Sequence, residues 1–405
     1  MYQYHTLSNG IRVVFRRNAS KVVYSGVHIN VGSRDESPAQ EGIAHFIEHS
    51  IFKGTTNRRS YHILNRIDGV GGELDAFTTK EETCIYASAL TEHLERCLEL
   101  FSDIIFHSTF PANELEREKE VVLEEIDSYK DSPADLIYDD FEELAFAGHP
   151  LAHNILGPKK NVRRFTSKHL HEFFRDNYTT QRMVISVVGD VDFKKVVRLC
   201  EKYFGAEESR PSKVLRSEKP VYKPFRHTAN RHTHQVHMVI GGQAPDTFAD
   251  QKVAFTLLNN ILGGPAMNSR LNVAVRERYG FCYTIESQYA PFSDAGLFYI
   301  YAGVDADAQE KTSELILAEL KRFCDVPLTT TQLRAAQRQL MGQLAISNDN
   351  ALNEMQSIGK SYLVFDKVDT LEEIHRDILS VTPQQILEAA RQCYDPERLS
   401  FLIYK

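Results

Sequence analysis

The feature that most constrains how this 405-residue chain can fold is a repeated order of apolar segments. Strand-like alternation at 12–15 and 22–31 leads into a helical stretch near 41–54. Strands follow at 74–79 and 84–89, then helices, then a strand at 183–188. The second half repeats that order, with a strand at 234–241, a helix at 250–262, a strand at 298–304, helices at 308–323 and 331–346, and a strand at 399–404. Sliding the sequence by 210 residues lays Ala44-His45-Phe46 over Ala254-Phe255-Thr256 and Gly54 over Gly264. Sliding it by 218 lays Glu114-Leu115 over Gln332-Leu333. Two copies of one supersecondary pattern imply a duplication, and a chain this long exceeds one comfortable core. The expected fold is therefore α+β: two homologous domains, each a mostly antiparallel sheet packed against helices. The first spans 1–206 and the second 220–405. The linker is placed at 207–219, a Ser-, Arg-, Lys- and Pro-containing stretch without periodicity.

The two copies differ in chemistry. In the first, His45 and His49 stand four apart, so on a helix they project from one face and can grip one metal ion. Glu48 lies about 60° round the helix from that face, where a carboxylate reaches an attacking water without entering the ligand set. This H-x-x-E-H string is the sequence reverse of the zinc-protease helix H-E-x-x-H. In the second copy Leu258 faces Glu48 and Asn259 faces His49, so the metal groups are gone. A tetrahedral catalytic zinc takes three protein ligands and leaves one position open. The third ligand is sought in 111–127, a stretch of strong helix formers with Thr109 as its cap and Pro111 in its first turn. Glu118 and Glu125 share a face there, flanked by Val121, Val122 and Ile126, whereas Glu116, Glu120 and Glu124 suit a solvated face. Glu125 is the expected ligand, and the second copy has Gln343 opposite it.

With these residues the chain resembles the inverted-motif zinc peptidases of pitrilysin, insulin-degrading enzyme and the mitochondrial processing peptidase. The resemblance rests on three further stretches: Thr6-Leu-Ser-Asn-Gly10, Asn177-Tyr178 through Asp190-Val191-Asp192, and Ser269-Arg-Leu271 through Tyr283. In that family a glutamate ligand follows the motif by about 75 residues, and a second glutamate two turns earlier supports the site. Glu125 and Glu118 occupy those positions. The resemblance implies one zinc ion per chain held by His45, His49 and Glu125, with Glu48 as general base and Glu118 behind the ligands. It also implies that Arg276 and Tyr283, seven apart in the metal-free half, complete the substrate cleft. Arg276 would hold substrate and Tyr283 would hydrogen-bond the developing oxyanion. The strand carrying Asp75, Ala76 and Phe77 is the expected substrate-binding edge, with Asp75 replacing the usual asparagine. Small members of the family enclose a chamber as a homodimer, which would restrict them to short or unfolded peptides.

Composition sets bounds on other functions. A formal charge of −8 gives no electrostatic case for nucleic acid or an anionic membrane. The six cysteines show no C-x-x-C pairing and are expected as free thiols. No 18-residue apolar span and no leader-like N-terminal run is present, so a soluble, cytoplasmic protein is expected. The histidine-rich run from Arg226 to His237 lacks a carboxylate partner and is expected to be structural. Gly263-Gly264-Pro265 is a helix stop, since no Lys-Ser/Thr follows it. A catalytically dead partner subunit is the alternative class; keeping the metal set and the Arg/Tyr pair in one chain argues against it.

Overall fold

The computed structural model describes residues 1–209, 216 and 218–405, so much of the expected linker, including Pro211, lies outside the described residues. The first sheet contains β1 (Tyr2–Thr6), β2 (Arg12–Arg17), β3 (Val22–Ile29), β4 (Glu73–Thr78), β5 (Thr83–Leu90) and β6 (Met183–Gly189). Their order is β1-β2-β6-β3-β5-β4. The second contains β7 (Arg226–Ala229), β8 (Val236–Gln243), β9 (Cys282–Pro291), β10 (Gly296–Val304) and β11 (Ser400–Tyr404), in the order β7-β11-β8-β10-β9. Each sheet has one parallel pair, β2 with β6 and β7 with β11; the other pairs are antiparallel. From β2 onward the first order maps onto the second strand for strand, as a duplication requires. The periodicity reading missed β1, β7 and β9. All three are sheet edges, where side chains meet solvent and the apolar alternation fades.

The helices of the first repeat are α1 (Ile43–Ser50), α2 (Ser60–Asp68), α3 (Leu94–Phe106), α4 (Ala112–Lys130), α5 (Pro133–Ala145), α6 (Lys159–Val162), α7 (Ser167–Asn177) and α8 (Phe193–Phe204). Those of the second are α9 (Lys252–Gly263), α10 (Gln309–Asp325), α11 (Thr330–Asp349), α12 (Ala351–Phe365), α13 (Leu371–Ser380) and α14 (Pro383–Cys393). The chain packs into two compact units. One comprises Met1–Ile126, His153–Arg216 and Ile346–Thr370; the other comprises Asp127–Ala152, Ser217–Ala345 and Leu371–Lys405.

In the first unit, one face of the sheet (Val13, Phe15, Val23, Val27, Ile185, Val187) shares a core with α1, α3 and α8. The opposite face (Val14, Val184, Val188) packs against Met355, Ile358 and Leu363 of α12. Both faces are covered, which explains why β6 is apolar almost without alternation. The second unit repeats the scheme. Met238, Ile240, Phe298 and Ile300 share a core with α9, α10 and α14, and Val239, Leu297, Tyr299 and Leu402 pack with Ile137 and Phe141 of α5. Each repeat thus lends one helix to the other repeat's sheet. The stretch 207–219 separates the strands of the two sheets but does not separate these helices. All six cysteines are free, and all but Cys324 are buried. No described helix is long and apolar enough to cross a membrane.

Candidate metal centre

Helix α1 forms because Ile43, Ala44, Phe46 and Ile47 bury one stripe in the core. Of its metal-motif residues, His45 is buried, while Glu48 and His49 are half-buried. Helix α4 is held by Leu115, Val122, Leu123 and Ile126. It begins at Ala112, one residue after the start of the stretch read from sequence, and the Pro111 carbonyl accepts the amides of Glu114 and Leu115. On its inner face Glu118 is buried and Glu125 half-buried, whereas Glu124 is exposed.

These two helices bring together the donors that sequence placed 76 positions apart. Glu125 Oε2 lies 3.6 Å from His45 Nε2 and 3.4 Å from His49 Nε2. One donor atom from each of the three residues falls within 4.8 Å of the others, and no second such group occurs among the described residues. Ligands about 2.0–2.2 Å from a tetrahedral ion stand about 3.3–3.5 Å from one another. The observed separations suit one shared ion and are long for hydrogen bonds. His45 Nδ1 is buried without a hydrogen-bond partner, so Nε2 is the nitrogen this ring presents to Glu125. Two imidazoles and one carboxylate form a donor set that fits zinc.

Glu118 acts one step behind. Its Oε1 lies 2.9 Å from His49 Nδ1, and its Oε2 accepts from Lys53 Nζ at 2.6 Å. Glu118 thereby turns His49 so that Nε2 faces Glu125. Sequence reading missed Lys53, which lies in the turn just beyond the C-terminal end of α1. Burial lowers the His45 pKa to about 4, helped by the neighbouring His49. His49 goes the other way: burial disfavours its charge, but Glu118, Glu125 and Glu48 overcome this and raise it to about 9. Burial likewise opposes the Glu118 charge, yet His49 and Lys53 hold its pKa below the usual range. His49, 3.4 Å away, lowers that of Glu125 against its burial, with His45 adding to the effect.

Glu48 stands outside the donor set. Burial raises its pKa, assisted by Glu125 and Asp75, while the Thr78 hydroxyl and His49 pull it down. The result is a carboxylate closer to neutrality than usual, as a general base requires. Thr78 is a second neighbour that sequence reading missed. It belongs to β4, the open edge of the first sheet, which among the described residues pairs only with β5. On this strand Leu74 and Ala76 pack on the core, while Glu73 and Asp75 are exposed. Asp75 accepts a hydrogen bond from Tyr86 Oη at 2.9 Å and from the Ala76 amide at 2.8 Å. Phe77 lies near the Tyr86 ring, with centroids 6.2 Å apart.

Arg276 and Tyr283 meet in the second unit. Arg276 lies in the last turn of a π-helical segment (Asn272–Glu277), and Tyr283 lies on the edge strand β9. The guanidinium sits 5.5 Å from the Tyr283 ring centroid, a cation–π distance, and the tyrosine is 83% exposed. The histidine run lines a pocket of about 370 Å³ through His232, His234 and His237, with Lys130 and Asp131 at its wall. It forms no metal-sized donor group. His237 is instead tied to Tyr301 Oη at 2.8 Å.

Residues 12–159 match the family described as Insulinase (Peptidase family M16), and residues 164–340 match the one described as Peptidase M16 inactive domain. An uncharacterized zinc protease of Bacillus subtilis is 36% identical over 407 residues, covering 100% of this chain and 98% of that protein. An uncharacterized zinc protease of Mycobacterium leprae is 33% identical over 396 residues, covering 96% and 88%. In fold, the chain superposes on the crystal structure of a protease from Helicobacter pylori with a TM-score of 0.91 at 23% identity, covering 100% of this chain and 99% of the other.

Proposed function

The chain belongs to peptidase family M16, and from that premise we propose that it is a zinc-dependent endopeptidase acting on short or unfolded peptides. The observation that carries this reading is the facing set of His45 Nε2, His49 Nε2 and Glu125 Oε2, with Glu48 beside it but outside the set. These three side chains would hold one zinc ion per chain, which would act as a Lewis acid to lower the pKa of a water and polarise a carbonyl. The remaining work falls to the chain's own groups. Glu48 takes the proton of the attacking water and passes it to the leaving amine. Glu118, steadied by Lys53, holds His49 in its binding tautomer. An extended peptide adds to the open edge of β4 at Asp75, Ala76 and Phe77 through main-chain hydrogen bonds. Tyr283 donates to the carbonyl oxygen as it gains charge, and Arg276 holds the peptide backbone.

In this reading residues 1–206 carry the metal chemistry, 207–219 connect the halves, and 220–405 complete the cleft. Two chains form a homodimeric chamber that admits peptides and excludes folded proteins. The test separates metal from base. Glu48→Gln should retain near-stoichiometric zinc while peptide cleavage falls by several orders of magnitude; His45→Ala should lose both. Undiminished cleavage of a quenched peptide by the Glu48→Gln protein would remove the assignment.

A further inference from the structure

Helix α1 starts without a capping side chain of its own. Its N-cap is Gly42, at φ 94°, and the Gln40 carbonyl accepts the Ile43 amide at 2.8 Å. The next free donors are met from upstream. Glu36 Oε2 accepts from the Gly42 amide at 2.9 Å, and Glu36 Oε1 accepts from the Ala44 amide at 2.7 Å. One carboxylate thus straddles the first turn, at the end where the helix dipole favours negative charge. Its side chain has no solvent exposure.

Glu36 is itself held from far along the chain. His153 Nε2 lies 3.0 Å from Glu36 Oε2, and the His153 carbonyl accepts from Lys80 Nζ at 2.6 Å. The loop carrying His153 is seated by two glycines with positive φ. A Cβ on Gly157 would lie 2.4 Å from the Glu41 carbonyl oxygen, and one on Gly42 would lie 2.6 Å from that of Leu156. Asn161 Nδ2 reaches the carbonyls of Pro38 and Glu41, both at 3.2 Å. His45 follows Ala44 directly, so the clamp ends one residue before the first metal-motif histidine. A helix rises 1.5 Å and turns 100° per residue, whereas metal–ligand distances tolerate only about 0.2 Å.

We propose that Glu36, locked by His153, is a positioning residue that sets the height and rotation of α1 so that His45 and His49 meet Glu125. This rests on the metallopeptidase reading. The experiment measures zinc affinity by chelator competition, together with kcat and KM, on full-length wild type, Glu36→Gln, His153→Gln and His153→Leu. Glu36→Gln should lose about 10- to 100-fold in zinc affinity and lose kcat with little change in KM. His153→Gln puts an amide N–H near the place of Nε2–H and should stay within a few-fold of wild type, while His153→Leu should fall with Glu36→Gln. If Glu36→Gln fails to fold, the His153 pair alone decides. A purely structural role would lower melting temperature, leave the zinc affinity of folded protein unchanged and make His153→Gln no better than His153→Leu; that pattern overturns the inference. Wild-type protein that binds no zinc removes the metallopeptidase reading along with it, whereas zinc-binding wild type with an equally tight Glu36→Gln removes only the inference.

Discussion

At the scale of single residues, the centre pairs opposed protonation behaviour within one helical turn. His45 is pushed down to about 4 and His49 up to about 9, around an ordinary value of 6.5. A histidine whose folded pKa is raised stabilises the metal-free fold fully below pH 6.5, and this contribution is lost as pH rises through about 9. At pH 7.5 His49 is therefore protonated, whereas His45 and Glu125, both with lowered pKa, are already free of protons. If zinc binds His49 as proposed, it must displace that proton. Calorimetry in buffers of differing ionisation enthalpy should show about one proton released by His49 per zinc at pH 7.5. Zinc affinity should climb with pH until about 9. Proton-neutral binding would mean that Glu118 and Glu125 do not hold His49 charged.

At the scale of elements, α12 shows how closely a lent helix must fit. Under it lies His28 of β3, fully buried, with Nδ1 2.7 Å from Glu82 Oε1 and Nε2 2.9 Å from Ser186 Oγ. Gly359 of α12 passes so close that a Cβ there would stand 2.0 Å from His28 Nε2. The ring is pinned from both sides and cannot yield. Gly359→Ala should destabilise the protein by about 1–3 kcal/mol or more, by overpacking. Gly342, in the interior of α11, has nothing within 4 Å of its added Cβ. Gly342→Ala should therefore stabilise by about 0.5–1 kcal/mol through helix propensity. Thermal melts of the two variants should move in opposite directions; the same sign for both would show that α12 is not in close register with β3. The second sheet solves the same problem with its glycine on the strand: a Cβ on Gly241 of β8 would lie 2.9 Å from Phe141 of α5.

At the scale of the whole molecule, each half supplies a helix that covers the other half's sheet, α5 on the second and α12 on the first. A fragment 1–209 would contain all six strands of the first sheet and every proposed zinc ligand, but it would lack α12. Val14, Val184 and Val188 would then face water, and α5 would have no sheet to cover. This fragment alone should bind a hydrophobic dye and melt without cooperativity. Adding 218–405 should restore dye exclusion, as measured by fluorescence and size-exclusion chromatography. A monomeric, cooperatively melting 1–209 would show that the lent helix is dispensable.

Much of this was legible in the sequence because it depends on local spacing. The duplication, the interior strands and the His45–Glu48–His49 face follow from periods of 2 and 3.6 residues acting on neighbours. The pairing of Glu118 and Glu125 on one face of α4 follows for the same reason. Other features depend on contacts between distant segments, which one-dimensional periodicity does not record. Lys53 reaches Glu118 only because α1 and α4 are packed together, and His153 reaches Glu36 only because two facing glycines let their backbones touch. The edge strands β1, β7 and β9 are defined by the neighbour they hydrogen-bond, and their own apolar pattern is weak. Which sheet each of α5 and α12 covers was likewise decided by long-range burial of apolar faces. Sequence thus determined the repeat and its candidate metal-ligand set, while tertiary packing decided how the helices are shared and which distant side chains meet the first turn of α1.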